Sequence, residues 1–223
     1  MTTFQASSAN PLFTRVAQNF LDLQRRIEST GCNLDDVRIV GVTKTFGSDV
    51  VRVAQEVGIT CVGENYVEEL ELKRGECEAL EVSWHYLGAL QTNKISRITK
   101  NSDLICGVSR LKEIEKIADA KDAMAIYVQV DFSGATGRNG AVESEIEALV
   151  NKARNLELNV RGLMCVSAPG KDAARLSFSK LVALADSLGL KERSIGMTDD
   201  LEIACEAGST EVRVGRALFG ARS

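Results

Sequence analysis

Six residues of this chain have side chains or backbones that could together hold a small charged molecule: Lys44, Asn65, His85, Thr198, Arg213 and Gly215. Lys44 follows the apolar run VRIVGVT at 37–43, which predicts a buried strand with this lysine at its tip. Desolvation lowers the pKa of a lysine and favours the neutral, nucleophilic amine, which suits Schiff-base chemistry. The alternative interpretation is a lysine that extends to solvent at the rim of the fold.

The stretch SIGMTDDLEIACEAGSTEVRVGRALFGA, residues 194–221, has the features of a phosphate site. It predicts a strand, a loop, a short helix begun by Asp199 and Asp200, a second strand, and a glycine-containing turn. Thr198 and Gly215 lie at the exits of the two strands, where free backbone N–H groups can hold a phosphate. A lysine opposite a phosphate site is typical of a sugar-phosphate aldolase, or of an enzyme or carrier of pyridoxal 5′-phosphate (PLP).

Arg213 belongs to the predicted strand EVRVG at 211–215. Successive side chains of a strand point to opposite faces, so Val212 and Val214 share one side and Arg213 takes the other. Near the open end of a barrel, the guanidinium could donate to an acceptor such as a pyridine nitrogen. An internal salt bridge to Glu64 or another carboxylate is the alternative.

Two further polar residues allow both a ligand-binding and a structural interpretation. His85, in SWHYLG, is either a ligand contact or a histidine satisfied within the core. Asn65 either orients a ligand or caps the helix that it begins. The glycine-rich loop GATGRNG at 134–140 lacks the G-x-G-x-x-G spacing of dinucleotide sites, so we expect a barrel loop there rather than a Rossmann site.

Strand and helix patterns alternate along the whole chain. A helix is predicted over 11–30, and the strands are predicted at 37–43, 59–64, 83–88, 103–108, 123–131, 159–166, 192–198 and 211–215, each followed by a helical segment. Strict alternation predicts parallel strands with crossover helices. Eight such units predict an α/β fold, a single (β/α)8 TIM barrel with an extra N-terminal helix. An open doubly wound sheet is the alternative architecture.

Composition narrows the classes of function. The chain is 44% apolar and 26% charged with a net charge of −4, which gives no signature of nucleic-acid binding. The basic group of Lys94, Arg97 and Lys100 is expected to be a solvated helix face. Six widely spaced cysteines and one histidine predict reduced core thiols and no metal centre.

No targeting or membrane segment is recognisable. No apolar run approaches the ~20 residues of a membrane span, and MTTFQASSANP lacks the regions of a signal peptide. We therefore expect a cytoplasmic protein with no membrane partner. Residues 1–10 are predicted to be a flexible leader, and residues 11–223 a single barrel domain.

The motifs together resemble the YggS/PROSC family of PLP-binding, PLP-homeostasis proteins. The resemblance extends from about residue 37 to residue 222 and is carried by VGVTKT, GENYVEE, WHYLGALQTNK, RGLM and GMTDDLEIACEAGSTEVRVGRALFGAR. It implies a single barrel similar to the N-terminal domain of alanine racemase, with PLP as the cofactor.

The resemblance also implies a role for each site residue. Lys44 matches the lysine that holds PLP as an internal aldimine, and Arg213 the arginine at the pyridine nitrogen. Thr198 and the backbone of Gly215 match the phosphate ligands, and Asn65 and His85 lie in motifs near the cofactor. Three segments depart from the family pattern: Phe46-Gly47 after the lysine, Arg138 in place of a lysine, and SAPG after strand six.

The expected function is to hold PLP and to take part in its homeostasis, with apo forms of PLP-dependent enzymes as recipients. We expect the protein to be a monomer. We also expect it to turn over no substrate at a substantial rate, because an always-protonated arginine cannot pass a proton to the pyridine nitrogen. A racemase also needs a second base, which the resembling racemase draws from an extra C-terminal domain; Tyr66, Tyr86 or Tyr127 could substitute. A weakly active amino-acid racemase and an aldolase-like barrel without PLP are the alternatives.

Overall fold

The computed structural model describes residues 10–220, and over this range the strands form a closed parallel barrel. The strands follow one another around the barrel in chain order, and the first pairs with the eighth. The predicted (β/α)8 barrel is confirmed, and the alternative of an open doubly wound sheet is wrong because the sheet has no edge.

The strands of the described chain are β1 (Arg38–Val42), β2 (Cys61–Glu64), β3 (Ser83–Tyr86), β4 (Leu104–Val108), β5 (Ala125–Val130), β6 (Asn159–Cys165), β7 (Glu192–Ser194) and β8 (Glu211–Val214). Its α-helices are α1 (Pro11–Glu28), α2 (Asp49–Glu56), α3 (Val67–Glu76), α4 (Ile95–Asn101), α5 (Leu111–Ala120), α6 (Ile146–Asn155), α7 (Lys171–Ser187), α8 (Leu201–Glu206) and α9 (Arg216–Phe219). Single 3-10 turns lie at Leu34–Asp36, Thr92–Lys94 and Glu143–Glu145.

Helix α1 is the predicted addition before the barrel. Its N-cap is Asn10, whose side chain accepts a hydrogen bond from the N–H of Leu12. Asn10 therefore belongs to the helix cap, and the rest of the predicted leader lies outside the described residues. None of the helices in the described range is both long and apolar enough to cross a bilayer.

Two separate apolar layers fill the fold. Valines and isoleucines on one side of the strands pack against the surrounding helices in the larger layer. Alternate residues point the other way, and Leu104, Cys106, Tyr127 and Met164 form a small apolar cluster inside the barrel. All six cysteines are free, and Cys61, Cys106 and Cys165 are buried as expected.

The seventh strand is shorter than predicted, ending at Ser194 rather than at residue 198. Gly196 has φ +98°, a conformation that L side chains rarely adopt, and its carbonyl still accepts a backbone hydrogen bond from Arg213 of β8. Residues 195–200 form a loop at the carboxyl end of β7. This loop, which we call the Thr198 loop, becomes part of the site.

Candidate functional site

A cavity of about 400 Å³ opens at the carboxyl ends of the strands. Its lining includes Lys44 after β1, Asn65 after β2, Thr198 after β7, and Arg213 and Gly215 at the end of β8. The remaining lining residues are Val42, Leu87, Gln129, Asn139, Met164, Val166, Met197, Asp199 and Arg216. Five of the six predicted site residues thus share one cavity, at the end of the barrel where such sites lie.

The turn that carries Lys44 is held on both sides. Thr45 has φ +66°, an uncommon conformation for a β-branched residue. Its N–H donates to Glu69 Oε2 at 2.7 Å, and the carbonyl of Thr43 accepts from Lys73 Nζ at 2.8 Å. Helix α3 therefore fixes the backbone before and after Lys44.

Lys73 itself is buried and pairs with two carboxylates. Its Nζ lies 2.7 Å from Glu64 Oε1 and 2.9 Å from Glu69 Oε2. Burial raises the pKa of Glu64, while hydrogen bonds from Lys73 and Thr43 oppose that rise. Sequence reasoning missed Lys73 and Glu69, and it named Glu64 only as an alternative partner for Arg213; the i,i+4 pair Glu69–Lys73 in the helix after the GEN motif was the available signal.

Asn65 does not cap the following helix. Helix α3 begins at Val67, and its N-cap position is Tyr66, which makes no side-chain capping bond. The capping interpretation is therefore wrong, and the cavity is where the structure places Asn65.

Arg213 is buried, and its hydrogen bonds within the described chain go to neutral oxygens. One terminal nitrogen donates to the carbonyl and hydroxyl of Ser194, and the other donates to the carbonyl of Cys165 at 2.9 Å. The alternative salt bridge to Glu64 is wrong, because that carboxylate binds Lys73 and Thr43. Between residues 10 and 220, Arg213 makes no ion pair with any other carboxylate either.

Ser194 links Arg213 to charged groups deeper in the barrel. Its hydroxyl donates to Glu211 Oε1 at 2.7 Å, and Glu211 lies two residues below Arg213 on β8. The other oxygen of Glu211 lies 3.2 Å from Arg38 Nη1 and accepts from the Tyr127 hydroxyl at 3.3 Å. Arg213 is thus connected to the negative charge of Glu211 through the hydroxyl of Ser194.

His85 is the predicted site residue that the structure does not bring to the cavity. It points into the barrel near Glu211, with Nδ1 3.5 Å from Oε2, and it is 1% exposed. Burial lowers its pKa, and the charges of Arg38 and Arg161 lower it further, against the opposite effect of Glu211. Because β3 points His85 at the layer below Arg213, the residue is a buried core histidine.

The residues around His85 are of types that bind metals, but the carboxylate among them is already bound by other side chains. Ligand atoms of His85, Cys106 and Glu211 lie within 4.8 Å of one another. Glu211, however, already serves Arg38, Tyr127 and Ser194. We assign the carboxylate to this hydrogen-bond network.

The side of the cavity at the ends of β7 and β8 is formed by the Thr198 loop and by Gly215. A Cβ on Gly215 would stand 3.3 Å from the carbonyl oxygen of Val42, so a larger residue would crowd β1. A Cβ on Gly196 would stand 2.5 Å from the Cβ of Ala204, so the loop lies directly against α8. Tight packing fixes both segments.

Asp200 does not cap α8 with its side chain, although it occupies the N-cap position. Its carboxylate accepts from the N–H of Met197 at 2.6 Å and from the hydroxyl of Ser167 at 2.9 Å. The loop after β6 is bound in turn by Arg138, which donates to the carbonyls of Val166 and Ser167. The predicted barrel-loop interpretation of the glycine-rich segment agrees with this arrangement.

The predicted solvated face is also observed away from the cavity. Lys94 pairs with Glu68 at 2.9 Å, and Arg97 pairs with Glu71. These side chains join α4 to α3 on the surface, so the basic group is matched by acidic residues rather than arranged for a polyanion.

The cavity suits an anionic ligand with an electrophilic carbon. Lys44, Arg213 and Arg216 line it with cationic side chains, and among the described lining residues only Asp199 is acidic. The lining also offers an amide from Asn65 and a hydroxyl from Thr198. An amine, a buried guanidinium and a hydroxyl beside a close-packed glycine fit the aldehyde, ring nitrogen and phosphate of PLP.

Comparisons with known proteins point the same way. The profile of the family described as "Alanine racemase, N-terminal domain" matches residues 14–223. A protein of Pseudomonas aeruginosa named "Pyridoxal phosphate homeostasis protein" is 33% identical over 220 residues, covering 93% of this chain and 96% of that protein. A protein of Escherichia coli with the same name is 30% identical, covering 93% of this chain and 97% of that one.

Solved structures are similar to this fold over most of the chain. PipY of Synechococcus elongatus, whose structure was determined with PLP bound, has a TM-score of 0.81 and 26% identity, covering 92% of this chain and all of that one (100%). Alanine racemase of Clostridium difficile has a TM-score of 0.74 at 15% identity, and the match covers 60% of that chain. The racemase likeness shows the fold alone.

Proposed function

The chain belongs to the alanine racemase N-terminal domain family, and from that premise we propose that it binds PLP at the barrel mouth and takes part in PLP homeostasis. The observation that carries the proposal is that Lys44, Thr198 and Arg213 line one cavity. The named relatives and the PLP-bound structure of PipY support it.

Each residue of the cavity has a proposed role. PLP supplies an aldehyde that a lysine amine attacks, with loss of water. Lys44 is the amine, on a turn held by Lys73 and Glu69. Arg213 donates to the ring nitrogen, Thr198 and the backbone around Gly215 bind the phosphate, and Asn65 orients the ring.

We propose a holding and delivering role rather than efficient catalysis. An arginine side chain does not act as a proton donor in the way that a carboxylic acid does, so a residue of this type at the ring nitrogen offers a hydrogen bond without transferring a proton. Of the three tyrosines considered as a second base, Tyr86 donates to the carbonyl of Ala89, and Tyr127 is bound to Glu192 and Glu211 inside the barrel. Burial raises the pKa of Tyr86 to about 12, and Tyr66 is exposed outside the cavity lining.

The proposal is tested by the visible absorption of the purified protein after addition of PLP. The wild type should develop a visible absorption band. Borohydride reduction should abolish this band and leave the pyridoxyl group permanently attached to the chain through a secondary amine. Lys44→Ala should lose the covalent attachment while keeping its circular dichroism spectrum, because the nucleophilic amine is gone.

Two control variants sharpen this test. Lys44→Arg keeps the positive charge but lacks a primary amine, and should also fail to attach PLP. Lys100→Ala removes an exposed lysine on α4 and should behave as the wild type. Attachment of PLP to Lys44→Ala at full strength would show that another lysine is the reactive one.

A further inference from the structure

The two proposed halves of the phosphate site lie on separate segments. Thr198 belongs to the loop between β7 and α8, whereas Gly215 lies between β8 and α9. A phosphate bound to both needs a fixed spacing between these segments. β7 and β8 pair at Ser194 and Glu211, and in the described chain backbone hydrogen bonds continue this pairing to Gly196, whose carbonyl accepts from Arg213, so Thr198 lies beyond the paired segment.

Helix α1 contacts both segments through polar side chains. Arg26 Nη2 donates to the carbonyl of Thr198 at 2.8 Å, and its guanidinium pairs with Glu202 of α8 at 2.7 Å. Asn19 Nδ2 donates to the carbonyl of Leu218 in α9 at 2.9 Å. Residues 19 and 26 are seven apart, which places them on the same face of the helix, two turns from each other.

These contacts are not what holds α1 to the protein. Val16, Phe20, Leu23 and Ile27 are buried along another stripe of the helix and attach it to the core. The Arg26–Glu202 pair is partly exposed, and exposed ion pairs contribute little to stability. The polar contacts of Arg26 and Asn19 can therefore position the segments that they bind without being needed to attach the helix to the core.

We infer that α1 sets the spacing of the phosphate site, with Arg26 and Asn19 as positioning residues that act through the backbones of Thr198 and Leu218. The inference rests on the proposed function, because it concerns the phosphate of the PLP bound there. It assigns to the added N-terminal helix a part in ligand affinity.

Affinities for PLP and for pyridoxal, which lacks the phosphate, test the inference. Arg26→Ala and Asn19→Ala should each weaken PLP binding about three- to tenfold, while pyridoxal binding stays unchanged. The double variant should approach the roughly 10- to 100-fold loss expected of Thr198→Val, which removes the phosphate-binding hydroxyl itself. Arg26→Lys, which can still reach one acceptor, should recover part of the loss.

Matched controls lie on the same helix. Arg25 pairs with Asp22 on the surface, and Gln18 donates to the same aspartate. Arg25→Ala and Gln18→Ala should leave both affinities unchanged. Glu202→Gln removes the ion pair but keeps the bond from Arg26 to Thr198, and should cost less than Arg26→Ala.

The outcomes separate the inference from the proposed function. A wild type that binds no PLP contradicts the proposed function. A wild type that binds PLP, with Arg26→Ala and Asn19→Ala equal to it, overturns the inference alone. Equal losses for PLP and pyridoxal, accompanied by a lower unfolding midpoint of the apo protein, would also overturn it, because the helix would then act only on stability.

Discussion

Arg213 shows how a buried charge is accommodated at residue scale. Its hydrogen-bond partners within residues 10–220 are two carbonyls and the hydroxyl of Ser194, and that hydroxyl donates in turn to the carboxylate of Glu211. Burying a charge without a direct partner is costly, and hydrogen bonds offset only part of that cost. We therefore expect the guanidinium to donate to an acceptor on a bound ligand.

His85 predicts a pH dependence of stability. Burial lowers its folded-state pKa, so the unfolded chain takes up the proton more readily than the native protein. Stability should therefore be constant above about pH 6.5 and fall as the pH drops below that value toward the folded pKa. Urea unfolding of the apo protein between pH 5 and pH 7.5 measures the effect.

The control for this prediction is His85→Gln, because His85 is the only histidine of the chain. Burial raises the pKa of Glu64, whose contribution has the opposite sign, since it is lost as the pH rises through the folded pKa. The difference between the wild type and His85→Gln isolates the histidine. If both proteins lose stability in parallel below pH 6.5, the loss belongs to other groups.

At the scale of elements, the loops after the strands are bound to one another and to the helices behind them. Arg138 joins the β5 loop to the β6 loop, and Asp200 joins the β6 loop to the Thr198 loop. Arg138 and the SAPG segment thus belong to one hydrogen-bonded network. The guanidinium of Arg138 donates to two carbonyls at once. A lysine at position 138 would contact these carbonyls as a point charge.

Gly196 and Gly208 provide a matched pair for testing how the Thr198 loop is held. Gly196 has φ +98° and Gly208 has φ +96°, but an added Cβ would lie 2.5 Å from the Cβ of Ala204 at Gly196 and would meet nothing within 4 Å at Gly208. Gly208→Ala should cost about 1–2 kcal/mol for its backbone conformation alone. Gly196→Ala should cost about 1–3 kcal/mol more, because α8 must move.

Denaturant unfolding of the two variants gives the free-energy difference directly. Gly196→Ala should also weaken PLP binding, since the loop moves with α8, whereas Gly208→Ala should not. Equal destabilisation of the two variants would mean that the loop is not packed against α8 as the structure indicates.

At the scale of the whole molecule, we expect a PLP protein with little turnover of amino acids. The cavity opens at the barrel mouth, and in the described chain Tyr86 and Tyr127 are committed to other bonds. The PLP-loaded protein should racemise common amino acids far more slowly than the ~10 s⁻¹ of a median enzyme. Added amines should change its visible spectrum, and apo forms of PLP-dependent enzymes should acquire PLP from it.

Racemisation is measured by chiral separation of amino acids incubated with the loaded protein, with Lys44→Ala as the control for bound cofactor. A rate comparable to a median enzyme, abolished by Lys44→Ala, would replace the holding role by the racemase alternative. Activation of an apo-enzyme at the rate given by free PLP alone would argue against delivery.

Local patterns in the sequence determined the architecture and much of the cavity. Alternating strand and helix periods predicted the barrel, because each period reports which side of an element is buried. Lys44 at the end of an apolar run and Arg213 opposite two valines were placed by the same rule. The barrel fold then brings strand ends together, which is why residues 44 and 213 share a cavity.

Only the tertiary structure decided the depth and the partners of these side chains. His85 lies on a predicted strand, but its depth in the barrel depends on how β3 is staggered against its neighbours, so it lies beside Glu211 rather than in the cavity. Arg26 meets the carbonyl of Thr198 across 172 residues of sequence. Periodicity describes the neighbours of a residue along one element, whereas such contacts depend on the packing of distant elements, which no local pattern encodes.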